Sequence, residues 1–325
     1  MTRLARKMIL DVDTGVDDAL ALLTAASDPL VDLLAVSCVS GNTDVDQVVD
    51  NTLRVLEIAG GTDIPVARGA SCPLIEERRH AEHFHGSDGM GDLGLGPSAR
   101  GPVDRPAIEF VRQLLIDSEE SSVTLVCLGP LTNIALLLRA HPEVASGIDR
   151  IVMMGGAVNG GNATAVAEFN VWADPEAASI ILTSELPVTM YGLDVYHQAA
   201  VAYQDVQKLR TSGDPVSELA ARLLEHLRMA SDPNVEVVGS DRVGIGDAGA
   251  LFCAIRPDLL TTRFLPVGVE LSGHFARGQT VTDLRYRSGE QEHHGFGHRF
   301  GAVDVGVGIN DGGVAQGFLD LFRTE

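Results

Sequence analysis

The segment MILDVDTGVDDALALL, residues 8–23, combines a strand, a turn and the start of a helix. Its apolar run at residues 8–12 predicts a strand, and Thr14-Gly15 predicts the turn that ends it. The apolar residues 19–23 then predict a helix. This order of strand, turn and helix is the first indication of an α/β fold.

Four carboxylates lie within eight residues of this segment, two before the turn and two after it. Side chains alternate across a strand, so Asp11 and Asp13 share one face. The turn brings Asp17 and Asp18 back towards them, and like charges held this closely need a compensating cation. An acidic helix start is often only a cap, but capping leaves the first pair unexplained. The cluster therefore predicts a site for a hard divalent cation with oxygen ligands.

The rest of the chain repeats this alternation of strands and helices. Strand-like apolar runs lie at residues 33–39, 123–128, 151–154 and 188–191. Helical patterns lie at residues 45–59, 108–117, 131–139 and 175–183. Continuous apolar strands that alternate with helices predict an α/β fold with a mostly parallel, Rossmann-like central sheet and helices on both faces.

Polar or small residues follow the ends of these strands. Asp13, Gly41-Asn42, Gly129 and Gly155-Gly156 each come directly after an apolar run. In parallel sheets, ligands bind beyond the carboxyl ends of the strands. We therefore expect these residues to converge on one crevice.

The 325 residues contain no internal repeat and no long linker, so we expect a single domain over residues 1–325. Residues 69–106 form the longest irregular stretch, and such a loop is typical of a lid over a site. A mainly helical segment is expected near residues 201–256. Further strands and a final helix are expected near residues 264–271, 281–286, 302–307 and 313–323. A solvated loop at a strand edge is expected to contain His293, His294 and His298.

Composition excludes several classes of protein. The net charge of -21 argues against a nucleic-acid partner, because phosphate binding needs a basic patch. No apolar stretch is long enough to cross a bilayer, so we expect no membrane partner. The apolar run after Lys7 is also too short for a signal peptide. No CxxC pair occurs, and we expect a reducing, cytoplasmic location with buried thiols at Cys38, Cys72, Cys127 and Cys253.

One alternative starts from the same acidic segment. The sequence DVDT at residues 11–14 resembles the nucleophile motif of haloacid dehalogenase-like phosphatases. In that interpretation Asp11 is the nucleophile, Asp13 is the acid, and Gly246-Asp247 belongs to a magnesium site. This hypothesis leaves the second acidic pair of the segment without a role.

A set of six segments covers most of the chain. In order, they are DVDTGVDDALAL, SGN, HFHGSDGMG, LGPLTNIA, MMGGAVNGGNATAVAEFNVWADPEAA and MYGLDVYHQA. Together they resemble the inosine–uridine-preferring nucleoside hydrolases, and the DxDxGxDD and EFN…DPEAA patterns are the specific ones. The resemblance implies the nucleoside hydrolase fold, a homodimer or homotetramer, and calcium-dependent hydrolysis of ribonucleosides to free base and ribose in nucleoside salvage.

The resemblance also implies a metal site. Asp13, Asp18 and Asp247 match the calcium ligands of the family, together with the backbone carbonyl of Leu128. Asp13 further matches the general base that acts on a calcium-bound water. Such chemistry is reasonable, because a metal lowers the pKa of its water and carboxylates stabilise an oxocarbenium-like transition state. Asp11 is expected to hold the other carboxylates in place.

A second set of residues is implied to bind the substrate. The flap loop of the family matches residues near 76–97, and His85 lies in it over the base. The implied substrate-binding residues are Asp17, Asn42, His85, Asn162, Glu168 and Asn170.

The chain departs from the family pattern at Gly246. Many members have a histidine there, associated with protonation of the leaving base, and glycine cannot donate a proton. Three explanations stay open: His85 acts as the acid, Trp172 or Tyr203 stacks on the base, or the substrate needs little help in leaving. A non-catalytic nucleoside- or ribose-binding protein is a further alternative, although a pure binder has no need for Asp13 as a base.

Overall fold

The computed structural model describes residues 4–230, 241–285 and 300–322. The first half contains β1 (Arg6–Val12), α1 (Val16–Ser27), β2 (Val31–Cys38), α2 (Val45–Ile58), β3 (Val66–Arg68), α3 (Glu82–His85), α4 (Ala107–Ile116), β4 (Val123–Cys127), α5 (Thr132–Ala140) and β5 (Ile148–Met154). The second half contains α6 (Phe169–Ala173), α7 (Pro175–Leu182), β6 (Val188–Tyr191), α8 (Leu193–Tyr196), β7 (Ala200–Ala202), α9 (Tyr203–Arg210), α10 (Pro215–Ala230), β8 (Arg242–Gly244), α11 (Asp247–Ile255), β9 (Leu260–Val269), β10 (Thr280–Thr282), β11 (Gly301–Ile309) and α12 (Asp311–Phe322). Short 3₁₀ helices lie at Pro142–Gly147 and Pro257–Leu259.

Nine of the strands form one central sheet in the order β10-β9-β11-β6-β5-β4-β1-β2-β3. The pairs from β11 to β3 are all parallel, and β9 is antiparallel to both of its neighbours. The prediction of a mostly parallel central sheet is therefore confirmed. The antiparallel pairs β10-β9 and β9-β11 form one edge of this sheet.

Strand β1 shows why helices cover both faces of the sheet. Successive side chains of a strand point to opposite faces. Met8, Leu10 and Val12 pack into one apolar core with α1, α2, α10 and α11. Ile9 packs into a second core with α4, α5 and α7. Because both faces of β1 are covered, the strand is an apolar run instead of an alternating one.

The centre of the sheet fixes where a site can form. Strand β1 pairs in parallel with β2 on one side and with β4 on the other, so the strand order reverses direction there. Asp11 lies in register with both Ser37 and Cys127. The segments that follow β1, β2 and β4 therefore leave the sheet at the same edge. Such a reversal point opens a crevice at the carboxyl ends of the strands.

The remaining differences from the sequence-based expectations concern short strands. The structure adds β3, and it places β7 and β8 as an antiparallel pair inside the segment predicted to be mainly helical. Three-residue strands are too short to show an alternating pattern. Strand β10 spans Thr280–Thr282, whereas a strand was expected near residues 281–286. His293, His294, His298, Tyr286 and Arg323 lie outside the described residues.

The cysteines correct one expectation. Cys38, Cys127 and Cys253 are buried, as predicted, but Cys72 is exposed because it lies in the loop after β3 and not in an apolar strand. All four are free thiols. Within the described ranges, no helix has the length and apolar character needed to cross a bilayer.

Candidate active site

Asp13 lies at the carboxyl end of β1, in the crevice between β2 and β4. Its side chain is almost completely buried, and its Oδ2 accepts a hydrogen bond of 2.8 Å from the backbone N–H of Asn42. A Cβ atom on Gly41 would overlap Asp13 Oδ2, so glycine is required for this close approach of the backbone. The backbone of the SGN segment after β2 thus holds the Asp13 carboxylate in place.

Asp18 ties the turn after β1 to the start of α1. Its Oδ2 accepts a hydrogen bond of 2.9 Å from the N–H of Gly15, and its Oδ1 accepts one of 3.3 Å from the N–H of Asp13. The side-chain amide of Asn42 donates to Asp18 Oδ2 at 3.3 Å. Asp18 therefore caps α1, which is the role that an acidic residue at a helix start often has. It also lies within the acidic group.

A group of three buried carboxylates lies beside Asp13. Asp17, Asp18 and Asp247 each offer an oxygen, and these oxygens lie within 4.8 Å of one another. Helix α11 supplies Asp247 as its first residue. Asp17 Oδ1 is buried and has no hydrogen-bond partner among the described residues. An all-oxygen group with an unpartnered buried acceptor fits a hard divalent cation such as calcium.

The electrostatics of this group also call for a cation. Burial and then the neighbouring Asp17 raise the pKa of Asp18 to about 7. The pKa of Asp13 is raised well above its ordinary value by burial first and by Asp18 second. The pKa of Asp247 is raised in the same direction by burial and by the nearby carboxylates. Without a positive partner, buried carboxylates resist ionisation, and a divalent cation reverses that preference.

The predicted metal ligands and the group of three carboxylates overlap in part. Asp18 and Asp247 belong to both, whereas the structure brings Asp17 into the group and places Asp13 next to it. The Leu128 carbonyl accepts a hydrogen bond of 2.7 Å from the side chain of Asn170. The metal roles of all four predicted ligands stay predictions. The Leu128 carbonyl oxygen has a second lone pair that it could offer to a cation.

Glu168 and Asn170 link the ends of β4 and β5. The Glu168 carboxylate accepts hydrogen bonds of 2.9 Å from the N–H groups of Gly156 and Asn170. Asn170 donates to the carbonyl of Met154 at 3.1 Å as well as to Leu128. Burial raises the pKa of Glu168 to about 7. Both side chains therefore have a fixed position at the same edge of the sheet as Asp13.

Asn162 has a different environment from the rest of the predicted ribose-binding set. Its side chain is exposed, and its Oδ1 accepts a hydrogen bond of 2.9 Å from the N–H of Phe169. This bond ties the loop after β5 to the start of α6. Asn162 lies on the surface of that loop, and its substrate contact stays a prediction.

His85 ends α3, the single helical turn inside the predicted flap. Its Nδ1 accepts a hydrogen bond of 3.1 Å from the N–H of Val16 and lies 3.9 Å from Asp17 Oδ1. Burial lowers the pKa of His85. The ring is therefore neutral near pH 7, and an accepting Nδ1 assigns the ring proton to Nε2.

Asp11 lies beneath the acidic group and is buried. Its Oδ1 accepts hydrogen bonds from the hydroxyl of Ser37 and, at 2.8 Å, from the amide of Asn133. Burial raises its pKa to about 7. A carboxylate enclosed in this way is poorly suited to be the nucleophile of the phosphatase alternative. It suits the expected role of holding β1 against β2 and α5.

Both aromatic residues considered for stacking have a guanidinium group over one ring face. The guanidinium carbon of Arg79 lies 3.9 Å from the centroid of the Trp172 ring, and that of Arg228 lies 3.7 Å from the centroid of the Tyr203 ring. Each ring therefore has at most one face left for a nucleobase.

Sequence reasoning gave no role to Tyr196, although it lies within the MYGLDVYHQA segment. Its hydroxyl donates a hydrogen bond of 2.7 Å to Asp17 Oδ2. The two residues are 179 positions apart in the chain. A polar aromatic residue in the short segment that follows the strand-like run of β6 was the available signal.

Gly246 precedes Asp247 in a conformation that favours glycine, with φ of +57°. A Cβ atom there would overlap Asp17 Cβ and would lie 2.9 Å from Asp17 Oδ2. Asp17 packs so closely against the backbone of Gly246 that a histidine side chain has no room at this position.

Replacing Gly246 by alanine is expected to displace Asp17. Left-handed strain and the clash should destabilise the fold by about 1–3 kcal/mol, and a displacement near 1 Å should lower kcat/KM on the order of 10²-fold. Gly244→Ala is the matched control, because a Cβ at Gly244 meets its nearest atom only at 3.9 Å. Thermal melting and steady-state kinetics of both variants test this, and a normal kcat/KM for Gly246→Ala would contradict it.

Comparison with known proteins identifies the family of the chain. Residues 8–310 match the model of the family described as inosine-uridine preferring nucleoside hydrolase. The chain is 40% identical over 323 residues to the pyrimidine-specific ribonucleoside hydrolase RihA of Escherichia coli O127:H6, covering 99% of this chain and 98% of that protein.

Solved structures agree as well. A plant nucleoside hydrolase, PpNRh1, superposes with a TM-score of 0.88 at 28% identity, covering 98% of this chain and 99% of that chain. A purine-preferring ribonucleoside hydrolase from Gardnerella vaginalis superposes with a TM-score of 0.87 at 30% identity, covering 98% of both chains. The chain therefore belongs to the inosine-uridine preferring nucleoside hydrolase family and is an enzyme that hydrolyses the N-glycosidic bond of ribonucleosides.

Proposed function

We propose that the enzyme is calcium-dependent and that Asp13 is the general base of the reaction. The observation that carries this proposal is the group of three buried carboxylates, Asp17, Asp18 and Asp247, within 4.8 Å of one another beside Asp13. Asp18, Asp247, Asp13 and the Leu128 carbonyl would hold the cation. When bound, calcium supplies positive charge that makes a water more acidic and binds ribose hydroxyls.

Asp13 is suited to take a proton from the attacking water. Burial and Asp18 raise the pKa of its carboxyl group, and a bound cation would keep that group ionised and therefore able to accept a proton. The hydrogen bond from the Asn42 N–H fixes Oδ2 and thereby orients the carboxylate. A base that is already oriented needs no rearrangement when the substrate arrives.

The remaining polar groups of the crevice would bind ribose and stabilise the transition state. Asp17, Asn42, Glu168 and Asn170 surround the same edge of the sheet, and Asn162 lies on the neighbouring loop. Their oxygens suit both ribose hydroxyls and the positive charge that develops at the anomeric carbon. Departure of the base is assisted by His85, whose Nε2 carries a proton in the neutral ring.

A panel of purine and pyrimidine ribonucleosides tests this function. The proposal predicts equal amounts of free base and ribose with calcium present, and no release of phosphate from a phosphate ester. Both classes of base are needed, because the relatives are named for pyrimidine and for purine substrates. Tight nucleoside binding without any ribose would instead identify a non-catalytic binding protein.

Calcium should stabilise the protein more as the pH rises. The pKa of Asp18 is about 7 in the folded state and near 3.8 ordinarily, so the folded protein holds this proton to a higher pH than the unfolded chain. Without a cation, its contribution to the free energy of unfolding therefore falls between these two pH values. Calcium replaces the proton. At a concentration of about 100 times its Kd, calcium adds about 2.7 kcal/mol to the free energy of unfolding.

Thermal melting curves, recorded with calcium or with chelator, measure this effect. They are recorded at about pH 5 and about pH 8, which lie below and above the folded-state pKa of Asp18. The expected result is a larger calcium-dependent rise in Tm at the higher pH. An equal rise at both values would show that calcium does not bind at the buried carboxylates.

We also propose a cytoplasmic enzyme of nucleoside salvage that forms a homodimer or homotetramer. The four free thiols support a reducing compartment. The oligomeric state follows from the family resemblance, and light scattering on the purified protein measures it.

A further inference from the structure

Tyr196 contacts the acidic group through Asp17. It is the last residue of α8, which follows β6 after Gly192, and its ring is partly buried. Its hydroxyl donates to Asp17 Oδ2 at 2.7 Å.

The two oxygens of Asp17 are in different environments. Oδ2 accepts from Tyr196 and faces the backbone of Gly246, which leaves no room for a Cβ atom. Oδ1 is buried without a hydrogen-bond partner among the described residues, and the nearest ring nitrogen, His85 Nδ1, lies 3.9 Å away. One oxygen is thus fixed by the protein, and the other is left to a ligand.

We propose that Tyr196 is a positioning residue, whose hydroxyl fixes the Asp17 carboxylate so that its negative charge lies beside the cation and its Oδ1 is presented to the ribose. This inference rests on the proposed function of the site. A hydroxyl donor stabilises the negative charge of a carboxylate and restricts its rotation. Both effects favour cation binding by the group of Asp17, Asp18 and Asp247.

The same geometry argues against Tyr196 as the acid that protonates the leaving base. Its hydroxyl proton already points to Asp17 Oδ2 in a short hydrogen bond. Tyr196 therefore acts through Asp17 and not directly on the base.

The test uses calcium affinity, measured by calorimetry on the full chain, in a double-mutant cycle of Tyr196→Phe and Asp17→Ala. Loss of a hydrogen bond to a charged acceptor should weaken calcium binding about 10-fold in Tyr196→Phe. In the Asp17→Ala background, the same substitution should have no further effect, because its acceptor is gone. Equal weakening in both backgrounds, or no weakening in either, would overturn the proposal.

Tyr191→Phe is the matched control. Tyr191 is a buried tyrosine at the end of β6, and its hydroxyl has no hydrogen-bond partner among the described residues. Its removal should leave calcium affinity unchanged. Melting curves of each variant verify that the fold is retained.

A second readout distinguishes positioning from acid catalysis. An activated substrate, p-nitrophenyl riboside, has a leaving group that needs no proton, whereas a natural nucleoside does. If Tyr196 acts through Asp17, Tyr196→Phe should lower kcat/KM for both substrates by the same factor. A loss confined to the nucleoside would instead make Tyr196 the acid. If the wild-type enzyme releases no ribose at all, the proposed function fails, but the calcium cycle still tests the contact between Tyr196 and Asp17.

Discussion

Replacing Asp13 by asparagine is expected to lower kcat for ribose release by about 10²–10⁴-fold, the usual contribution of a general base. The amide has nearly the same shape, and its oxygen can still accept the hydrogen bond from the Asn42 N–H. It cannot take a proton from water. The fold should therefore survive while turnover is lost, which steady-state kinetics and melting curves measure together.

Asp32→Asn is a suitable control for this variant. Asp32 lies on β2 and is exposed, so its charge is remote from the buried group. Its replacement should leave kcat within a factor of about two, as is usual for surface substitutions. Near-normal turnover in Asp13→Asn would remove Asp13 from the role of base.

Replacing Asp247 by asparagine is expected to weaken calcium binding by at least about 10³-fold, because two unit charges about 4 Å apart attract each other by about 4 kcal/mol at an effective dielectric constant near 20, and calcium carries two charges. Asp247 is a suitable residue to test, because it is buried at the start of α11 and lies within the group of three carboxylates. Activity should fall in parallel and recover in part at high calcium. Calorimetry gives the affinity, and a calcium titration of kcat/KM gives the recovery.

Asp104→Asn, a change at an exposed loop residue, controls for the loss of one negative charge from a protein of net charge -21. Unchanged calcium affinity is expected there. If Asp247→Asn also retained the wild-type affinity, the cation site would have to lie elsewhere in the molecule.

The sequence predicted the fold because its central strands are continuous apolar runs. Met8, Leu10 and Val12 pack into one core and Ile9 into the other, so these positions of β1 had to be apolar on both faces of the sheet. The short strands β3, β7 and β8 were not predicted, because three residues carry no periodic signal. The position of β10 was shifted for the same reason.

The sequence predicted which carboxylates belong to the acidic site, but it did not predict which side chains contact one another there. Local spacing alone indicated that Asp13, Asp17 and Asp18 lie close together. The position of Asp247 against Asp17 and the hydrogen bond from Tyr196 depend on chain segments that are far apart, and no local pattern contains such contacts. The left-handed backbone at Gly246 is likewise a property of packing.

The role of the buried carboxylates is tested most directly by ribose release from one enzyme preparation that is first freed of cations with a chelator and then reloaded with calcium. We expect hydrolysis of a ribonucleoside to be lost on chelation and to return with calcium, yielding one free base for each ribose. Full turnover in the thoroughly chelated enzyme would contradict the proposed role of the buried carboxylates.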